Sequence, residues 1–369
     1  MDAHYAYIAL NMIGRVGPAT VRSLVNFFGS VEKIFEAKAD ELMAVPNIKK
    51  STVENILAKI HSIDPEQEEK KAKKIGAYIL TPADKDYPEI LKNFEDAPLA
   101  LYVMGTLNKS DKKRIAIVGT RRPTHYGREI TNKITRELVS YNFTIISGMA
   151  RGIDTIAHSA AIASGGRTIA VLGGAIDHIY PPENKDLAKK IKDNGAIISE
   201  FPLGRPPDKT SFPIRNRIIS ALSYGVLIPE AGLTSGALIT ANFALEQGKS
   251  IFAIPGRIDS PASKGCHKLV KEGAKLVENV EDIIEEFQLL LPKKEKDSDD
   301  YQKDNMYKVK LSYEAEKIIQ ILEDGEKDVD SIIRESNLSP SKVNVALLEL
   351  EMNKKIKILP GKIVELCRL

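Results

Sequence analysis

The stretch that decides the fold is R-I-A-I-V-G-T-R-R, residues 114–122. Its apolar core, residues 115–118, is unbroken and ends at a glycine. An unbroken apolar run, rather than an alternating one, is typical of a strand that is buried on both faces. Similar runs follow along the chain at 144–147, 168–172, 196–199, 226–228 and 250–254.

Helix-length segments separate most of these runs, for example residues 128–141 and 154–164. Repeated strand–helix–strand units form a parallel sheet with right-handed crossovers. The pattern therefore predicts an α/β fold. We expect a Rossmann-like, doubly wound, mainly parallel sheet within residues 63–288.

Residues 1–62 show only the apolar spacing of helices, as at Val21, Leu24 and Phe28. Within them, residues 13–20 hold two glycines spaced as in the hairpin of a helix-hairpin-helix unit, where the backbone approaches a phosphate closely. The prediction is a small helical domain of the helix-hairpin-helix or SAM-like kind. A plain helix–helix turn without DNA contact remains the alternative, because one G-x-x-G is a weak signal.

The last part of the chain is predicted to be a separate domain. Residues 289–311 mix charge signs and lose the apolar pattern, so we expect a flexible charged linker. Residues 312–369 have the outline of a winged helix, with three helices and a hairpin. Ser339 is the predicted N-cap of the third helix, and Pro340 its first residue. That helix carries both acids and bases, so base reading and protein contact both remain open.

Composition limits the class of protein. The chain has 369 residues, a net charge of +3 and two cysteines, Cys266 and Cys367. Two distant cysteines form neither a disulfide framework nor a metal knuckle, which favours a reducing compartment. No segment reaches the roughly 18 uninterrupted apolar residues that span a membrane, and the N-terminus does not read as a secretory signal. We therefore expect a cytoplasmic protein without membrane contact.

Positive charge is concentrated in two loops that follow predicted strands. Residues 120–128 hold three arginines and no acid, and residues 205–217 hold four basic side chains and one acid. Loops at the carboxyl ends of parallel strands share one edge of the sheet, where ligands bind. This concentration indicates a polyanion site. Tyr126 and Phe212 within the loops offer stacking surfaces for unpaired bases, although Phe212 also reads as a core anchor.

The sequence predicts no catalytic residue, no metal and no cofactor. Its histidines form no metal-binding pair, and the fingerprint G-x-G-x-x-G is absent after the first strand. Asp154 and His158 read as a structural hydrogen-bonded corner with Arg151, and an acid–base pair is the alternative. Glu230 could act as a general base, but spacing places no nucleophile beside it. Ser235 fits a helix N-cap better than a nucleophile.

Several blocks of the sequence resemble the DNA-processing protein A family (DprA, also called Smf). The blocks are GTRR at 119–122, SGMARGID at 147–154, IYPPEN at 179–184, FPIRNRII at 212–219, EAGLTSGALITA at 230–241 and FAIPG at 252–256. They occur in the family's order over about residues 114–287, and together they are highly specific. Both terminal domains also match longer members of the family.

This resemblance implies a function without catalytic turnover. Members of the family protect single-stranded DNA and load a RecA-type recombinase onto it in natural transformation and homologous recombination. The resemblance also implies a homodimer through the Rossmann-like domain. The expected partners are therefore single-stranded DNA, a RecA-type recombinase and a second copy of the chain.

The resemblance also implies a DNA site. Arg121, Lys209 and Phe212 fall on the family's DNA pocket, and Arg215 and Arg217 of the R-N-R motif should line it too. Glycines at strand ends can point backbone N–H groups at phosphate oxygens. The complete candidate site is Gly119, Thr120, Arg121, Arg122, Gly148, Arg151, Lys209, Phe212, Arg215, Asn216, Arg217, Ser235 and Gly236.

Two positions depart from the family pattern. Pro229 replaces the usual β-branched residue, and because proline has no N–H we expect the preceding strand to end early. Ala237 replaces the usual serine and removes one hydroxyl near the pocket. Two other functions remain open: a nucleotide-hydrolysing Rossmann-like enzyme of the phosphoribohydrolase type, and a duplex-DNA-binding regulator that acts through the winged helix.

Overall fold

The computed structural model describes residues 1–108, 111, 113–290, 312–322, 325–352, 355–359 and 363–366. The chain divides into two compact units, residues 1–292 and 293–369. The helical region predicted for residues 1–62 therefore shares a unit with the sheet. Of the linker predicted at residues 289–311, all but the first two residues lie outside the described part of the chain.

The chain begins with four helices, α1 (Ala3–Met12), α2 (Pro18–Phe28), α3 (Ala39–Met43) and α4 (Lys50–Lys59). Helix α1 packs on the sheet, because Ile8 belongs to the same buried cluster as Ile79 and Ala170. The Asn11 side chain donates a hydrogen bond to the Glu200 carbonyl at 3.0 Å. These contacts explain why the helical region and the sheet form one unit.

A nine-stranded sheet forms the centre of this unit. Its strands are β1 (Ala77–Leu80), β2 (Leu101–Gly105), β3 (Arg114–Ile117), β4 (Thr144–Ser147), β5 (Thr168–Val171), β6 (Gly195–Ser199), β7 (Gly225–Ile228), β8 (Ser250–Ala253) and β9 (Lys275–Leu276). Their spatial order is β1-β2-β6-β5-β4-β3-β7-β8-β9, and all pairs from β6 to β9 are parallel. The predicted mainly parallel, Rossmann-like sheet is confirmed.

Helices cover both faces of the sheet. They are α5 (Pro65–Lys74), α6 (Glu89–Lys92), α7 (His125–Ser140), α8 (Ile153–Ala163), α9 (Lys185–Asn194), α10 (Ser211–Leu222), α11 (Ala237–Glu246), α12 (Lys264–Lys271) and α13 (Glu281–Leu290). In β3, Ile115 packs in one buried cluster with Ile134 of α7, while Ala116 packs in the opposite cluster with Ile218 of α10. Successive strand residues face opposite sides, so burial on both faces produces the unbroken apolar run.

One edge of the sheet is antiparallel, which the sequence did not predict. Strand β1 pairs antiparallel with β2, and β2 pairs antiparallel with β6, where Tyr102 lies opposite Ser199. Strand β7 ends at Ile228, directly before Pro229, as expected from the missing N–H.

The second unit contains α14 (Tyr313–Leu322), β10 (Lys327–Asp328), α15 (Val329–Ser336), α16 (Pro340–Met352), β11 (Ile356–Leu359) and β12 (Ile363–Leu366). Its three strands pair in the order β10-β12-β11. Ser339 Oγ accepts a hydrogen bond from Lys342 N at 3.4 Å, so Ser339 caps α16 as predicted. In the described ranges of the two units, no helix is long and apolar enough to cross a membrane.

Candidate nucleic-acid interface

Two adjoining concavities lie at the carboxyl ends of the parallel strands. The first, which we call the groove, is formed by the loops after β3 and β7 together with the start of α10. The second, the pocket, lies among the loops after β4 and β5. Arg121, Ala150, Phe212 and Arg215 line both, so they form the ridge between groove and pocket.

The structure brings most of the predicted site residues to these two concavities. Those in the groove are Gly119, Thr120, Arg121, Arg122, Lys209, Phe212, Arg215, Asn216, Ser235 and Gly236. Gly148 and Arg151 line the pocket. Arg217 lines neither.

The ridge combines positive charge with aromatic rings. The half-buried Phe212 ring lies 5.4 Å from the Arg121 guanidinium and 6.0 Å from that of Arg215. The Tyr180 ring lies 5.9 Å from Phe212, and the Arg151 guanidinium lies 5.9 Å from Tyr180. Sequence reasoning missed Tyr180, although it falls in the IYPPEN block after β5. The predicted second stacking residue, Tyr126, lines neither concavity and donates its hydroxyl proton to the Pro255 carbonyl at 3.0 Å.

Arg215 is the fixed and most deeply buried charge of the ridge. Its guanidinium donates to the carbonyls of Gly148 and Val171, and its Nε donates to Asn216 Oδ1 at 3.0 Å. Burial lowers the pKa of Arg215 to about 10, against the attraction of Asp154. Arg215 therefore stays charged at neutral pH, directly below the surface that Arg121 and Phe212 present.

Arg215 and Asp154 together fix the loop after β4. Asp154 Oδ2 accepts hydrogen bonds from the backbone N–H groups of Gly148 at 3.1 Å and Ala150 at 3.2 Å. Arg215 holds the Gly148 carbonyl from the other side. A Cβ atom on residue 148 would collide with the Arg215 guanidinium, so this close approach requires glycine.

The predicted corner of Arg151, Asp154 and His158 does not form. Arg151 is exposed and pairs with Glu183, with 3.2 Å between Nη2 and Oε2. His158 is buried, and its Nδ1 lies 2.6 Å from Thr168 Oγ1. Burial, and secondly the charge of Arg215, lower the pKa of His158 to about 3. Each side chain has its own partner, so these residues do not act as one acid–base unit.

Arg217, which was predicted to line the DNA site, instead forms a buried ion pair that stabilises the fold. It is buried, donates to the Glu200 carboxylate and to the Asp96 carbonyl, and lies 3.6 Å from the Asp96 carboxylate. Residues two apart on a helix point about 200° apart, so Arg215 and Arg217 cannot face the same side of α10. Burial raises the pKa of Glu200, and the Arg217 charge opposes that shift.

Glu230 and Ser235 organise helix starts. Glu230 is buried, and its carboxylate accepts hydrogen bonds from Thr124 Oγ1 at 2.6 Å and Thr124 N at 2.8 Å, at the start of α7. Ser235 lies one residue before the N-cap of α11, which is Gly236 rather than Ser235. Ser235 Oγ still accepts a hydrogen bond from Ala237 N at 3.3 Å. The carboxylate of Glu230 therefore serves the fold, which weakens the hydrolase alternative.

Comparison with known families identifies the chain. Residues 78–288 match the model of DNA recombination-mediator protein A, residues 306–362 match the DprA winged helix domain, and residues 7–62 match a SAM-like helix-hairpin-helix tandem. The chain belongs to the DNA recombination-mediator protein A (DprA) family. The resemblance stated from the sequence and the nature of both terminal domains are thereby confirmed.

Individual members of the DprA family agree with this assignment. Protein Smf of Escherichia coli is 40% identical over 294 residues, which cover 78% of each chain. DNA processing protein DprA of Bacillus subtilis is 43% identical over 212 residues, covering 57% of this chain and 71% of that protein. These relatives place the chain among DNA-processing proteins.

Solved DprA structures share the fold. The X-ray structure of DprA from Streptococcus pneumoniae has a TM-score of 0.67 and 34% identity, and the match covers 77% of this chain and 98% of that one. The Helicobacter pylori protein has a TM-score of 0.52 and 33% identity, covering 58% and 96%. The latter structure concerns the mode in which that protein binds single-stranded DNA.

Proposed function

We propose that this chain binds single-stranded DNA along the groove and pocket, protects it, and loads a RecA-type recombinase onto it in natural transformation and homologous recombination. The proposal needs no catalytic turnover. The observation that carries it is the ridge, where Arg121 and a half-buried Phe212 ring stand above the buried charge of Arg215.

Unpaired cations favour a polyanion at this edge. Arg121, Arg122 and Lys209 are exposed, and none of them forms an ion pair with a residue in the described ranges. Basic side chains that neutralise phosphates release the counterions condensed on the nucleic acid, and this release drives binding. The N-terminal end of α11 also borders the groove, so the dipole of this helix adds partial positive charge there.

The aromatic residue favours single strands over duplex. An unpaired base exposes a face that stacks on Phe212, and such stacking is worth about 1–3 kcal/mol. Bases in a duplex are already stacked and cannot use this surface. The relative from Helicobacter pylori, at 33% identity, supports the same ligand.

The double variant Arg121→Ala with Lys209→Ala tests the groove. Binding of a labelled single-stranded oligonucleotide, followed by fluorescence anisotropy, should weaken about tenfold at 0.15 M salt. The slope of log K against log salt should become shallower by about 1.4, because each lost phosphate contact accounts for about 0.7.

The matched control is Arg136→Ala with Lys74→Ala, two exposed cations outside both concavities. The control should bind as the wild type does. If the groove variant keeps the wild-type slope, the groove is not the DNA site. If duplex binds as tightly as single strands and truncation at about Pro292 abolishes binding, the duplex-regulator alternative takes its place.

We also propose that two copies associate through the Rossmann-like domain. Strand β9 has only two residues at the open edge of the sheet, and Leu276 is exposed there. Leu233 and Ile258, which line one further concavity of this domain, are exposed as well. Light scattering of the full chain should give twice the chain mass. Ile258→Glu should shift the mass toward one copy without loss of the folded state, and a monomeric wild type would contradict this.

Recombinase loading is tested separately, by the rate at which a RecA-type recombinase forms filaments on single strands coated with a single-strand-binding protein. We expect this chain to shorten the lag before filament growth. The Arg121→Ala with Lys209→Ala variant should lose that effect in proportion to its lost DNA affinity. An unchanged lag with the wild-type chain would remove loading from the proposed function.

A further inference from the structure

A second groove lies at the opposite, amino end of the strands. Arg114 begins β3, Tyr224 directly precedes β7, and Lys249 directly precedes β8. These three residues line a concavity together with the loop after β2 and the residues around α6. We call it the amino-edge groove. It shares no lining residue with the proposed DNA site.

Two cations meet on one aromatic ring in this groove. The Arg114 guanidinium lies 5.9 Å from the Tyr224 ring, and the Lys249 ammonium lies 5.7 Å from the same ring. Lys249 also lies 5.4 Å from the Phe94 ring. The Arg114 Nε is buried and has no hydrogen-bond partner among the described residues.

No carboxylate in the described part of the chain forms an ion pair with either cation. Asp111, the nearest acid in sequence to Arg114, accepts from Arg167 Nε at 2.6 Å, and Glu89 pairs with Lys92 at 3.1 Å. The neighbouring positions 109, 110 and 112, outside the described residues, are lysine, serine and lysine. That segment therefore holds no other carboxylate.

The pair of like charges is unfavourable as it stands. Burial, and secondly the charge of Arg114, lower the pKa of Lys249. An unpartnered cation pair with a buried unsatisfied N–H is an arrangement that an incoming anion would relieve.

We propose that the amino-edge groove binds an acidic, partly apolar peptide segment of a partner protein, with one carboxylate held between Arg114 and Lys249. The lining holds three acids, Asp86, Glu89 and Asp111, beside three cations, so it is not the uniformly positive surface that a nucleic acid favours. A continuous polyanion would meet those acids, whereas a peptide can place single charges. Apolar side chains of Ile90, Leu107 and Leu222 also line the groove and suit apolar peptide residues.

A short labelled peptide that alternates aspartate with leucine and phenylalanine serves as the probe, followed by fluorescence anisotropy with the full chain. Wild type should bind it at least about tenfold more tightly than the same peptide with asparagine for aspartate. Lys249→Met keeps the length of the side chain and removes its charge, and should weaken binding of the acidic peptide about tenfold. The matched control Lys271→Met, an exposed lysine on α12, should bind as the wild type does.

Thermal unfolding provides a second measurement that is independent of the peptide. Removing one of two unpartnered like charges should raise the melting temperature of Lys249→Met by about 1–2 °C. Single-stranded DNA binding should stay unchanged in that variant. Equal affinity for the aspartate and asparagine peptides, or wild-type peptide affinity in both Lys249→Met and Arg114→Met, would overturn the proposal. Displacement of the peptide by an oligonucleotide through this groove would replace it with a nucleic-acid site.

Discussion

Replacing Arg217 by alanine is expected to lower the free energy of unfolding by about 3–5 kcal/mol. The side chains of Arg217 and Glu200 are each only 8% exposed, so the variant leaves a carboxylate buried without its cation. Glu200 Oε1 has no hydrogen-bond partner within the described residues, so no hydrogen bond to that oxygen offsets the loss of Arg217. Urea unfolding followed by circular dichroism measures the change.

The double variant Arg217→Met with Glu200→Gln is the control for this prediction. Removing both charges of a buried pair is far less harmful than removing one, so most of the lost stability should return. The double variant should also bind single-stranded DNA as the wild type does, because Arg217 lies outside the groove and pocket. A single variant within about 0.5 kcal/mol of the wild type would show that the buried pair does not hold the fold together.

Phe212→Ala is expected to weaken binding of single-stranded DNA by about 5- to 150-fold, the equivalent of one lost base stack of about 1–3 kcal/mol. The slope of log K against log salt should stay at the wild-type value, because no phosphate contact is removed. Anisotropy across a salt series measures both quantities. Phe212→Ala should therefore lose the same factor of affinity at every salt concentration, whereas in the charge variant the slope of log K against log salt changes.

The Phe212 ring also packs closely on Gly173, so its role as a loop anchor must be separated from stacking. Phe212→Leu keeps an apolar anchor and removes the aromatic face, whereas Phe212→Tyr keeps the face. If stacking matters, leucine should resemble alanine in DNA affinity, and tyrosine should resemble phenylalanine. Leucine with wild-type affinity would assign Phe212 to the fold alone.

The parallel part of the sheet was predictable because burial on both faces leaves a signature in the chain, as at Ile115 and Ala116. The antiparallel pairing of β1 with β2 was not predictable in this way. Leu101, Tyr102 and Val103 are also consecutive and buried, so their run reads like a parallel strand. The direction of a strand depends on the segment that connects it to the previous strand. Between β1 and β2 that segment holds only the single-turn helix α6, whose sequence cannot be told from that of a loop, so the direction of β2 could not be predicted.

In the candidate site, too, some residues could be predicted from the sequence and others could not. Arg121 and Lys209 lie in loops after strands, and Phe212 lies in the first turn of the helix that follows such a loop. The sheet edge alone brings these segments together. Arg215 and Arg217 could be separated only once the face of α10 that meets the sheet was known. The contact between the tilted rings of Tyr180 and Phe212, 5.9 Å between ring centres, joins segments that no periodicity connects. Side-chain pairing across loops depends on tertiary structure, so the sequence pattern does not contain it.

The loop after β4 is held between Arg215 and Asp154 by charges of the protein itself. The protein surface there is therefore rigid, and a single strand that binds to it must make most of the conformational change. Pyrimidine tracts, whose neighbouring bases stack weakly, adjust more easily than runs of adenine, whose bases must first separate. A preference for thymine-rich strands at this site would therefore report the stiffness of the strand and not the reading of its bases.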